Sequence, residues 1–313
     1  MKLEARSRLY RLCAAAALLA LAIWGNRSAL ADEIPADPVA RCRGLPGLLL
    51  PSEFRDSVKI GDVTPIGAEG CRFSDLRLTA SKYLGWSVGS VTVEHVDFKG
   101  AYANGRPLSL AAHAEGVLRV LQSGNAPSDY QFKLLQHPMQ LSLAYGADRA
   151  ARTFTLSDLG VRGERVGRLA VTAELDDFDQ AALEGDPQDI PSALRLVKLG
   201  RFTLQLDNRG LIEVYALLPA LLALPGGHDD PEGAIRNAKL EAVAALGSLK
   251  SAIAAPSLQA LRTFIEDLPQ PQRPLTLICA PTAPVSLAAI AQTGGRGPAF
   301  NELVKALNIT ALY

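Results

Sequence analysis

Between about residue 71 and residue 208, apolar side chains return at every second position in one short segment after another, and this constrains the fold more than any other feature. Met139, Leu141, Leu143 and Tyr145 alternate most cleanly, and Phe154–Val161, Val166–Leu175 and Phe202–Leu206 follow the same rhythm. A period of two places one set of side chains on one face of a strand. Seven or eight such segments joined by short polar turns therefore predict an antiparallel meander with one buried and one wet face. Within it, Val91 and Val93 fall out of phase with Val96 at Glu94-His95, which predicts a β-bulge.

After Gly210 the period lengthens. Pro231-Glu232 reads as a helix start, and Ile235, Ala242, Leu246, Leu249 and Ile253 recur at helical spacing up to Pro256. Leu258, Leu261, Ile265 and Leu268 repeat the pattern as far as Pro269, and residues 211–224 read as a further helix kinked at Pro219. A strand at Leu275–Cys279, a short helix near Phe300–Leu307 and a closing strand over Asn308–Tyr313 complete the chain. Strands followed by helices predict an α+β fold, an antiparallel sheet covered by C-terminal helices. The expected divisions are a leader over 1–31, an irregular Pro- and Gly-rich segment over 32–70, a β-rich region over 71–208, and a helical region over 209–313 that forms one domain with it.

The leader has a recognisable chemistry. Lys2, Arg6, Arg8 and Arg11 precede the apolar run Leu12–Trp24, and Ala29-Leu30-Ala31 stands before Asp32. Basic start, apolar middle and small-residue exit describe a cleaved secretory signal peptide. The 13-residue run is short of the roughly 20 needed to span a bilayer. Export to the periplasm and no transmembrane span after cleavage are the expectations. Overall the chain balances 32 basic against 32 acidic residues, but the leader holds five basic and one acidic, so the other 282 carry 27 against 31. A mildly acidic mature chain excludes the basic balance of a nucleic-acid binder.

An oxidising compartment favours disulfides. Cys42, Cys71 and Cys279 remain after the leader. Cys42–Cys71 is the preferred pair because it would pin the irregular segment to the first strand, with Cys71–Cys279 as the competitor; three cysteines without C-x-x-C spacing do not suggest a metal site.

Candidate chemistry is thin. Gly85-Trp86-Ser87-Val88-Gly89 has the spacing of a nucleophile elbow, which would make Ser87 a serine-hydrolase nucleophile, but a strand follows where the elbow needs a helix. His228, Asp229 and Asp230 cluster groups that bind divalent cations, yet they stand just before Pro231, where acidic residues cap helices. Asp176, Asp177 and Asp179 read as a solvated turn. Gly294-Gly295-Arg296-Gly297 lacks the strand-loop-helix frame of a phosphate loop, and no cofactor is expected. The alternation ending at Tyr313 has the form of a barrel-closing strand, but a chain with 6% aromatic residues and a long helical stretch lacks the girdles of a membrane barrel.

The strand Phe202–Leu211 ending in Asp207-Asn208-Arg209-Gly210, the helix end Thr263-Phe264-Ile265-Glu266, and Leu275-Thr276-Leu277 followed by Pro281, Pro284, Val285 and Leu287 resemble uncharacterised exported proteins of Gram-negative bacteria whose β-rich envelope domains are similar to the AsmA-like, lipid-handling group. The resemblance covers residues 139–313. It implies an envelope-associated, non-catalytic protein and carries over no functional residue. The leading expectation is a periplasmic protein that binds an apolar ligand or lipid, or supports envelope assembly with other envelope proteins. The alternatives are a serine hydrolase using Ser87 and a purely structural or partner-binding exported protein.

Overall fold

The computed structural model describes residues 33–313 except 51–54, 56, 80, 82–83, 105–106, 122, 181–194, 225–228 and 293–296. The leader therefore lies outside the described residues. The fold is α+β, with an antiparallel sheet of twelve strands. Backbone contacts divide the described chain into two units, one holding the residues up to 148 with 155–164, the other 149–154 with 165–313.

In the first unit the segment expected to be irregular opens with a helix, α1 (Pro38–Leu49). Asp37 caps it by accepting from the N–H groups of Val39 (3.3 Å) and Ala40 (3.0 Å), and Pro38 fills the first turn, where a missing N–H costs nothing. Strands β1 (Val58–Lys59) and β2 (Val63–Ile66) both pair with β3 (Gly70–Thr79). Next come β4 (Leu84–Val96), helix α2 (Phe98–Asn104), β5 (Ser109–Leu121), helix α3 (Ala126–Leu135), β6 (Met139–Asp148) and β7 (Thr153–Gly163). The β4–β5 register slips between Val93 and His95, so the bulge stands where the phase slip placed it.

Cys42 on α1 and Cys71 on β3 form the disulfide, joining positions 29 apart in the chain. Around it Leu45, Phe73, Val93, Val96, Ala101, Tyr102 and Leu110 are buried, so α1 and α2 cover this part of the sheet in the role expected of C-terminal helices. The Tyr102 hydroxyl donates to the Arg41 carbonyl (2.9 Å) and the Arg41 guanidinium lies 4.8 Å from the Phe98 ring centre. The bare Gly44 lets α1 approach Tyr102 closely, since a Cβ there would meet the Tyr102 hydroxyl.

In the second unit, β8 (Gly167–Asp176), β9 (Lys198–Asn208), β10 (Leu275–Cys279) and β12 (Ile309–Leu312) pair in that order, and β11 (Val285–Ser286) adds to β9. Asn208 ends β9 and anchors the start of the next helical segment: its Oδ1 accepts from the Ile212 N–H (2.8 Å) and its Nδ2 donates to Glu213 (3.0 Å). The helix expected over 211–224 begins as a π-helical turn (Ile212–Ala216) and continues as α4 (Leu217–Ala223). Pro219 has no N–H for the carbonyl four residues back, which accounts for the altered bonding just before it. Helices α5 (Pro231–Gly247) and α6 (Ala255–Asp267) follow, then α7 (Leu287–Gln292) and α8 (Pro298–Ala306). Helix α6 lies along β12, where Ser257 Oγ accepts from the Ala311 N–H (3.1 Å).

Candidate functional site

Two places in the structure are candidate sites. The first is the apolar face of the second unit. Antiparallel register sets Ala173 beside Phe202, Cys279 and Ile309 in one row, and Val171 beside Leu204, Leu277 and Ala311 in the next. Leu169, Leu206 and Leu275 form a third row. Arg168, Thr172, Glu174, Arg201 and Gln205 are exposed, as period-two patterning requires. Burial is uneven along the rows. Leu275, Cys279 and Ala311 are buried, whereas the β8 and β9 members are only half-buried.

The second place is in the first unit, where a cavity of about 460 Å³ is lined by Glu69, His95, Asp97, Lys99, Ser109 and neighbouring apolar residues. His95 Nδ1 lies 2.6 Å from Glu69 Oε2, and His95 Nε2 lies 2.9 Å from Ser109 Oγ. Two of the three have an anchored backbone: the Glu69 carbonyl accepts from the Val96 N–H (3.1 Å) and the Ser109 carbonyl from the Asp97 N–H (3.0 Å). Asp97 is held by the N–H groups of Gly100 and Leu108, both at 3.0 Å. A bulge between Val93 and His95 immediately precedes the imidazole. No local motif announces this set, since its members come from a hairpin end, a bulge and a strand start. The phase slip at Glu94-His95 was its only trace in the sequence.

The residues singled out from sequence fall elsewhere. Ser87 stands inside the β4 ladder, paired with Arg77 on β3 and Leu118 on β5, so the chain forms no strand-to-helix turn there. His228 lies outside the described residues. Asp230 accepts from the Gly233 N–H (2.8 Å) as the cap of α5, the role expected of an acidic residue before Pro231. Among the described residues no three His, Cys, Asp or Glu side chains gather as a metal-binding group. Cys279 is a buried free thiol, and burial pushes it up to about 11. The turn over Asp176–Asp179 is laced by ion pairs, Lys198 with Asp177 at 2.7 Å and Arg152 with Asp179 at 3.9 Å. The hydrogen bond and charge of Lys198 hold the Asp177 carboxyl below its usual range.

Tyr313 does not end a free strand. Its hydroxyl donates to Asp267 (2.5 Å) and accepts from the Gln272 N–H (2.9 Å), and its ring meets Phe264 edge-on and Arg273 face-on. Burial, and then the neighbouring Asp267, raise its phenol above the usual range. No described helix is long and apolar enough to cross a membrane.

The chain is thus an α+β protein with a half-buried apolar sheet face in one unit and, in the other, a cavity whose lining mixes charged and apolar side chains. Residues 160–312 match a family model described only as an uncharacterized protein, a span close to that of the second unit. No curated protein matches the chain.

Proposed function

We propose that this is an exported envelope protein that acts by binding an apolar ligand, with a lipid acyl chain as the occupant, on the sheet face of the second unit. The observation that carries this reading is the half-buried stretch Leu169, Val171, Phe202, Leu204 and Leu206, where three apolar rows extend beyond the part of the sheet nearest α6. Covering such side chains is worth about 25 cal/mol per Å² of apolar area removed from water. The Cys42–Cys71 disulfide fits an oxidising compartment, and the resemblance to AsmA-like envelope domains points to the same class of ligand. A mature chain with 27 basic against 31 acidic residues gains nothing from anionic head groups, so apolar contact must supply the affinity.

The test is to isolate the exported protein under mild conditions, identify bound lipid by mass spectrometry, and titrate the delipidated protein with a fluorescent long-chain fatty acid. Saturable binding that weakens at least tenfold in Val171→Ser, with the fold retained by circular dichroism, is the expected result. Folded protein that carries no lipid and binds no fatty acid would overturn the reading.

A further inference from the structure

We propose that Glu69, His95 and Ser109 form an acyl-transfer site that hydrolyses small carboxylic esters at the surface of the first unit. A carboxylate 2.6 Å from His95 Nδ1 favours the tautomer with the proton on that nitrogen. The lone pair of Nε2 is then directed at the Ser109 hydroxyl, 2.9 Å away. This is the arrangement of nucleophile, base and orienting acid in which each group prepares the next. Asp97 does not compete for the imidazole, because the N–H groups of Gly100 and Leu108 occupy its carboxylate. The side chains of His95 and Glu69 are 48% and 61% exposed, so a substrate reaches them from solvent without any segment moving. Lys99 lines the same cavity, where it faces the two carboxylates Glu69 and Asp97, so the site favours a neutral ester.

The chemistry balances with water as the only co-reactant. Ser109 Oγ attacks the ester carbonyl carbon while its proton passes to His95 Nε2. The bond from the carbonyl carbon to the alcohol oxygen breaks, and the departing alkoxide takes that proton. Water then attacks the acyl-serine with His95 again accepting the proton, and the serine oxygen recovers it as the acid leaves. Glu69 orients the imidazole and faces the imidazolium that forms.

This site is independent of the apolar face, and its test does not involve lipid. The oxidised, full-length mature protein is treated with a fluorophosphonate probe, the labelled peptide is mapped, and hydrolysis of p-nitrophenyl acetate is followed in parallel. The expected result is a label on Ser109, absent from Ser109→Ala and retained in Ser87→Ala, with ester turnover reduced at least tenfold in Ser109→Ala and in His95→Gln. Thermal melts of each variant, coincident with the parent, establish that the losses are chemical. The proposal fails if the folded parent takes no label, if the label maps to another residue, or if Ser109→Ala hydrolyses the ester as fast as the parent.

Discussion

Cys279 and Tyr313 carry the alkaline pH dependence of the second unit. Both ionise by losing a proton, and burial raises both above their usual values, the thiol to about 11. A group whose folded value is raised lends stability that is complete below its unfolded value and disappears as pH climbs through the folded one. Denaturant midpoints should therefore hold steady through neutrality and fall between pH 9 and about 11, and Cys279→Ala should remove part of that fall. The same burial predicts that Ellman's reagent at pH 8 finds no thiol in the native oxidised protein and one equivalent per mature chain after unfolding. Asp177 acts in the opposite sense, since its lowered value lends stability that is lost as pH falls below 3.8, but its exposure keeps the effect small. Gly167 is fixed by geometry: its φ of +89° and the Asp207 carbonyl against its missing Cβ leave no room for a side chain. Gly167→Ala should cost about 1 to 3 kcal/mol in chemical denaturation.

The closing strand shows how much a few contacts at an element's end decide. Tyr313→Phe keeps the ring against Phe264 and Arg273 but removes the bonds to Asp267 and Gln272, a loss of about 1 kcal/mol that urea titration would measure. Strands were legible because period-two patterning depends only on neighbours along the chain, and even the bulge at Glu94-His95 left its mark in the phase. Helix α1 was not, because a segment with Gly44, Pro46 and Gly47 reads as a breaker until Asp37-Pro38 is recognised as a cap and first turn. Helices α2 and α3 follow Asp97 and Asn125, each accepting from a backbone N–H three residues on, capping signals too brief to outweigh the alternation around them. The Glu69, His95 and Ser109 set was illegible for a stronger reason: pairing across strands assembles it, and no sequence spacing encodes that pairing.

At the scale of the whole protein, formal neutrality conceals a basic first 31 residues and a mildly acidic remainder. Cleavage after Ala31 would leave Asp32 as the mature amino terminus, and N-terminal sequencing of periplasmic protein from a Gram-negative host would read Asp-Glu-Ile-Pro if the leader is processed as proposed. In the chain-entropy model, closing a loop between positions 29 apart stabilises by about 3 to 4 kcal/mol. Cys42→Ser should lower the melting temperature of the first unit, and dithiothreitol should lower it in the parent while leaving the variant unchanged. The same crosslink fastens α1 to the first long strand of the sheet. Glu69, two residues before Cys71, is thereby tied covalently to α1, so one wall of the cavity is held by a bond that strand pairing alone does not supply.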